Sequence, residues 1–158
     1  MIEKLTGDVV SLVGMLKQKH PDSDIILVHG CNCFNNMGAG LAKTISEQWP
    51  LADKVDKSTL MGDKTKLGNY SYANVEPNVM VINLYTQYRY GHGLRLEYDA
   101  LKYGLSTLVS TVNELFSNPI YLVPEYIGCG LAGGDINLVR PILSECLMGT
   151  NYYLFDKD

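Results

Sequence analysis

The stretch Val28-His29-Gly30-Cys31-Asn32-Cys33-Phe34-Asn35-Asn36-Met37-Gly38-Ala39-Gly40-Leu41-Ala42 decides the fold of this chain. The apolar run Ile25-Ile26-Leu27-Val28 enters it, small and polar residues follow, and Gly38-Ala39-Gly40 opens a helix at Leu41. A strand apolar at nearly every position is covered on both faces, as in a parallel sheet. A strand–loop–helix junction of this kind turns backbone N–H groups outward with no side chain in front of them. It receives an anion, most often a phosphate. Asn32 stands where its amide can bond a sugar hydroxyl beside that phosphate. The loop lacks the Lys-Ser/Thr ending of an ATP-type phosphate loop, and its G-x-G does not extend to a dinucleotide fingerprint. Tight strand–helix packing is the competing reason for its glycines.

A second glycine-rich loop, Ile127-Gly128-Cys129-Gly130-Leu131-Ala132-Gly133-Gly134-Asp135, follows the short apolar run Ile120–Val123. Two such loops in one chain point to a ligand that carries a diphosphate. Several polar residues beside them admit two readings each. His29 ends an apolar strand, as a buried structural histidine or as a proton carrier beside the phosphate. Asp135 either caps the following helix or works as an acid or base. Asp8, after Thr6-Gly7, is a cap or an acceptor for the exocyclic amine of a purine. The third region, Tyr85-Thr86-Gln87-Tyr88-Arg89-Tyr90-Gly91-His92-Gly93, has aromatics to stack on a base or close over a ribose, and Arg89 to offset phosphate charge. The same tyrosines also suit an ordinary strand edge.

A chain of 158 residues has room for one core, so residues 1–158 are read as a single domain. Its hydrophobic fraction of 46% and charged fraction of 19% are those of a compact domain. The formal charge of −4 argues against tight duplex nucleic-acid binding, which needs a clustered basic face. No apolar run reaches membrane-spanning length, and the start, Met1-Ile2-Glu3-Lys4, lacks a signal-peptide pattern. The expected location is the cytoplasm (the host cytoplasm for a phage-encoded chain). The four cysteines are read as buried thiols rather than disulfides or metal ligands, since Cys31-Asn32-Cys33 leaves only one residue between the sulfurs. No cofactor is expected.

Periodicity predicts strands at Ile2–Leu5, Asp24–His29, Lys66–Tyr72, Val79–Tyr85, Ile120–Val123 and Tyr152–Phe155. Val9–Leu16 is apolar and either helical or extended. Helices are predicted at Leu41–Gln48, Leu51–Leu60, Leu96–Phe116 and Leu138–Leu147, with Pro141 tolerable only in a first turn and no clear helix immediately after the second loop. Strands alternating with helices give an α/β fold of three layers, α/β/α, around a central mixed sheet.

With these loops in place the chain resembles the macrodomain family, in particular its small phage and fungal branch that processes ADP-ribose 1''-phosphate. The resemblance rests on Thr6-Gly7-Asp8-Val9, on Val28–Asn32 with Met37–Ala42, on Ile82-Asn83-Leu84-Tyr85-Thr86-Gln87 and on Ile127–Asp135. It implies that Asp8 meets the adenine, that Val9 beside it also binds the ligand, and that Asn32 meets the distal ribose. It implies further that Gly38, Ala39, Gly40 and Leu41 meet the distal ribose and diphosphate, faced by Gly128, Cys129, Gly130, Leu131 and Ala132, with Thr86 and Gln87 also at the ligand. The implied activity is hydrolysis of ADP-ribose 1''-phosphate to ADP-ribose and phosphate, with His29, Asn32 and Asp135 as catalytic candidates. The alternatives are a hydrolase of ADP-ribosyl adducts or O-acyl-ADP-ribose, and an ADP-ribose-binding module without chemistry. A related branch works through a lysine nucleophile. Its position here is Gln87, whose amide cannot form that intermediate. The implied partner is a small ADP-ribose derivative, and the implied state a monomer.

Overall fold

The computed structural model describes residues 2–156. Met1, Lys157 and Asp158, the ends of the domain expected over 1–158, lie outside the described residues. The strands are β1 (Ile2–Thr6), β2 (Asp24–Asn32), β3 (Tyr70–Glu76), β4 (Val79–Gln87), β5 (Pro119–Pro124) and β6 (Asn151–Asp156). They form one sheet in the order β1-β6-β5-β2-β4-β3. Every pair is parallel except β3 with β4, which the turn at Pro77-Asn78 joins as an antiparallel hairpin. The sheet is therefore mixed, as expected. Asn78 takes the left-handed conformation that such a turn needs and that asparagine tolerates.

Five α-helices cover the two faces. Helices α1 (Val9–Lys19), α2 (Gly40–Gln48) and α3 (Pro50–Lys57) lie on one, α4 (Tyr98–Leu115) and α5 (Ile136–Leu147) on the other. Alternation along β2 sorts the core between them. Ile25 and Leu27 pack with Leu12, Leu16 and Ile45, whereas Ile26 and Val28 pack with Leu105, Leu108 and Leu143. This double burial makes β2 apolar at consecutive positions. The three-layer α/β/α architecture follows.

One open reading is settled and three local expectations change. The ambiguous segment after Asp8 is a full helix, because Asp8 Oδ1 accepts the Ser11 N–H at 2.9 Å and caps it. Strand β2 continues past His29 to Asn32, its pairing with β4 shifting register between Cys31 and Asn32. Strand β3 starts at Tyr70 rather than Lys66, since Asp63 caps a 3-10 turn at Lys64–Lys66 and Gly68 then takes a positive φ. Helix α5 begins directly after the second loop, at Ile136, so Pro141 falls in its second turn. The carbonyl of Asn137 loses its partner there, but Asn137 is exposed and water can take the bond.

Candidate functional site

The sheet topology makes a crevice at the carboxyl ends of β2 and β5. The chain leaves β2 toward α2 on one face and leaves the adjacent β5 toward α5 on the other. Neighbouring strands whose connections part in opposite directions leave a gap between the loops, the usual ligand position in open α/β sheets. A cleft of about 600 Å³ lies there, floored by Gly30 and walled by the loops at 36–42 and 127–132. Gly30 has to be glycine: a Cβ on it would stand 2.8 Å from Thr86 Oγ1 and 3.3 Å from Ile127 Cγ1.

The first wall is shaped by its own asparagines. Asn32 Nδ2 donates to the Asn36 carbonyl at 2.8 Å, and its Oδ1 accepts the Phe34 N–H at 2.9 Å. Asn36 Oδ1 accepts the Gly38 N–H at 2.9 Å, so that donor is spent within the loop. Helix α2 follows with Ala39 at its cap position and no side chain capping it. The N–H groups of Gly40, Leu41 and Ala42 have no partner among the described residues, and all three residues line the cleft. Gly40 has φ +57°, with open space where a Cβ would be.

The second wall is a tight loop stacked on Leu96. It is closed by Cys129 N–H to Tyr126 O at 2.7 Å and Gly134 N–H to Gly128 O at 2.8 Å. A Cβ on Gly134 would meet Leu96 Cδ2 at 2.5 Å, and one on Gly133 would meet the Gly93 carbonyl at the same distance. These glycines serve packing. The N–H groups of Gly130, Leu131 and Ala132, by contrast, have no partner among the described residues and sit on the cleft. Two sets of free backbone donors thus flank one space.

The structure divides the expected site residues. Asn32, Gly38, Ala39, Gly40, Leu41, Gln87 and Gly128 to Ala132 all line the cleft. Asp8, Val9, Thr86 and Asp135 do not. Both oxygens of Asp8 are held by Ser11, which also lowers its pKa, and Val9 is buried in the core. Thr86 is fully buried under Gly30, its hydroxyl without a partner among the described residues. Asp135 Oδ1 accepts the Asn137 N–H at 2.9 Å and caps α5. His29 belongs to the cleft floor with none of its surface accessible. Asn83 Nδ2 donates to the Ala52 carbonyl, so its Oδ1 accepts the His29 Nε2–H at 2.7 Å. Burial pulls the His29 pKa down from 6.5 to about 4, which leaves it uncharged near neutral pH and, of its two readings, favours the buried structural histidine over the proton carrier.

Several cleft residues escaped the sequence reading, Pro124 at the end of β5 among them. Asn36 lies inside the first loop but carries no motif of its own. Tyr126 and Asp156 line the end of the cleft beside β5 and β6. Asp156 reaches it only because β6 pairs with both β1 and β5, which no local pattern announces. Among the described residues no lysine or arginine lines the cleft.

No family model matches the chain. It is 32% identical over 148 residues to the uncharacterized 17.5 kDa protein of the tk-vs intergenic region of Enterobacteria phage T4, covering 90% of this chain and 88% of that one. Among solved structures, a Bacteroides thetaiotaomicron protein of unknown function superposes with a TM-score of 0.79 at 23% identity, over 99% of this chain and 98% of the other. The macrodomain of Mycobacterium tuberculosis DarG superposes at 0.75 and 18% identity, over 100% and 99% of the two chains. Thermosipho africanus DarTG, solved in complex with ADP-ribose, superposes at 0.67 and 19% identity, over 84% of this chain and 38% of that larger one. The chain belongs to one family with the phage T4 protein, and its fold is that of a macrodomain.

Proposed function

We propose that the cleft binds an ADP-ribose derivative and that the protein hydrolyses ADP-ribose 1''-phosphate. The observation that carries this reading is the pair of N–H sets without partners among the described residues, at Gly40–Ala42 and Gly130–Ala132, on residues that line one cleft. A diphosphate between them satisfies donors that otherwise have none. The base then lies toward Tyr126 and Asp156, and the distal ribose toward Asn32, Asn36 and Gln87. Asn32 retains one amide hydrogen for a ribose hydroxyl. Thermosipho africanus DarTG, part of which shares this fold, was solved in complex with ADP-ribose, which supports the ligand class.

In the reaction, water attacks the terminal phosphorus, the bond from phosphorus to the 1''-oxygen breaks, and that oxygen takes a proton. Backbone donors preorganised for negative charge stabilise the transferring phosphoryl oxygens, and Asn32 orients the ribose. His29 and Asp135 are engaged elsewhere, in the Asn83 bond and the α5 cap. This favours a second reading, binding without chemistry.

One experiment separates the readings. Purified protein is given ADP-ribose 1''-phosphate, ADP-ribosylated peptide and O-acetyl-ADP-ribose while phosphate and ADP-ribose are quantified, and ADP-ribose affinity is measured by calorimetry. Phosphate release from the first substrate alone supports the phosphatase. Binding without release leaves the second reading, and release from the other substrates moves the activity to ester or glycosidic bonds. Absence of ADP-ribose binding overturns the placement altogether.

A further inference from the structure

Beneath the first wall of the cleft a lysine is buried with no carboxylate in contact among the described residues. Lys66 is 9% exposed and runs from its 3-10 turn under residues 33–36. Its Nζ donates to the Cys33 carbonyl at 3.1 Å and to Asn35 Oδ1 at 2.7 Å, and lies 4.8 Å from the centre of the Tyr85 ring. Two acids act on it from a distance: Asp63, which caps the 3-10 turn that carries Lys66, and Asp56, behind the Tyr85 ring. Tyr85 Oη donates to Asp56 Oδ1 at 2.7 Å, and the other oxygen of this buried carboxylate has no partner among the described residues. Burying a cation and an anion separated by a tyrosine ring is an expensive way to fill space, and apolar side chains would pack as well. The lysine does what they cannot: it grips two oxygens of one loop.

The gripped loop reaches the cleft. Asn35 is a non-glycine residue at φ +56°, a conformation that needs support. It has that support on two sides, from Lys66 and from Thr59, whose carbonyl accepts Asn35 Nδ2–H at 2.9 Å. Its neighbours in the loop are Asn32, bonded to the Asn36 carbonyl, and Asn36, bonded to the Gly38 N–H. Both line the end of the cleft assigned above to the distal ribose.

We infer that Lys66 is a positioning residue for the distal sugar: by holding the Cys33 carbonyl and the Asn35 side chain it fixes residues 32–36 in the shape that meets the second ribose, and so sets the preference for ADP-ribose over ADP. The inference rests on the proposed function. ADP carries the same base, first ribose and diphosphate but no distal ribose, so the ratio of the two affinities isolates that loop.

The test is calorimetry with ADP-ribose and ADP on wild type, Lys66→Met, Lys66→Arg and Asn35→Gly, with folding checked by circular dichroism. Lys66→Met should lose about tenfold in ADP-ribose affinity while ADP affinity holds within about twofold, the scale of one or two lost hydrogen bonds. Lys66→Arg should recover part of the loss. Asn35→Gly removes the gripped oxygen yet suits the positive φ, so it should fold and show the same selective loss even where Lys66→Met does not fold. An unchanged ratio in folded Asn35→Gly overturns the inference. So does an equal loss of both ligands, which marks a merely structural role, and so does a wild type without preference for ADP-ribose. Failure of wild type to bind either ligand overturns the proposed function itself.

Discussion

At the scale of single residues, His29 shows how a strand position overrides a side chain's usual chemistry. Its neighbours make it fully buried, and its one strong bond, to Asn83 Oδ1, is made by the neutral ring. With the folded pKa near 4 and the usual value of 6.5, the unfolded chain binds more protons between those limits. Stability therefore rises with pH across that window and is lost as pH falls through it, by up to about 3 kcal/mol from this group. Glu76 and Glu125, whose pKa values are lowered by their ion pairs, lose their contributions as pH falls from the ordinary value of 4.5 through their lowered values. Asp56 works the other way: burial raises its pKa, so it adds stability as pH falls. All three carboxylates persist in His29→Gln, so the difference between variant and wild type isolates the histidine. Urea midpoints measured from pH 4.5 to pH 7 should fall with acidity more steeply in wild type than in the variant. Parallel curves would show that His29 does not titrate as its burial dictates.

At the scale of elements, glycines that look alike in sequence separate by their backbone. Gly14 lies inside α1 on its exposed side, with nothing within 4 Å of the position a Cβ would take. Gly14→Ala should stabilise the protein by about 0.5–1 kcal/mol, the helix-propensity difference. Gly40 also has open space, but its φ of +57° carries a cost for any side chain, and it lines the cleft with an N–H that has no partner among the described residues. Gly40→Ala should cost about 1–2 kcal/mol and also weaken ADP-ribose binding. Thermal melts and calorimetry on both variants check this pair. A Gly40→Ala protein with unchanged affinity would remove the α2 N-terminus from the site.

The same scale explains what was legible in the sequence. Elements with a strong period or a covered face, such as β2 and the Leu101–Leu105–Leu108–Val112 stripe of α4, were readable because burial writes itself into residue type. Boundaries set by a single hydrogen bond were not. The start of α5 depends on Asp135 accepting one N–H, and the start of β3 on the turn capped by Asp63. In the site, the two glycine loops were visible. Asp156 and Lys66 were not: Asp156 reaches the cleft through strand order, and Lys66 touches the loop of the first wall through a long side chain crossing between elements.

At the scale of the whole molecule, the cleft walls belong to opposite faces of the sheet: one loop leads into α2, the other into α5. A ligand bridging them binds the folded state alone and stabilises all of it. At a hundredfold excess over its Kd, ADP-ribose should add about 2.7 kcal/mol. For a chain of 158 residues that raises Tm by roughly 5–10 °C. Adenosine, which lacks the diphosphate, should leave Tm nearly unchanged. Salt then identifies the donors. Among the described residues no lysine or arginine lines the cleft, and the net charge is −4, so on the proposed function a diphosphate held there rests on backbone dipoles at short range. Raising sodium chloride from about 0.05 M to about 0.5 M compresses the screening length severalfold and would strip affinity from a site built on exposed cations. Here the affinity measured by calorimetry should change by no more than a few-fold. A steep loss with salt would mean that side chains outside the cleft, Lys43 or Arg89 first among them, carry the diphosphate, and that the free N–H groups of α2 and the second loop do not.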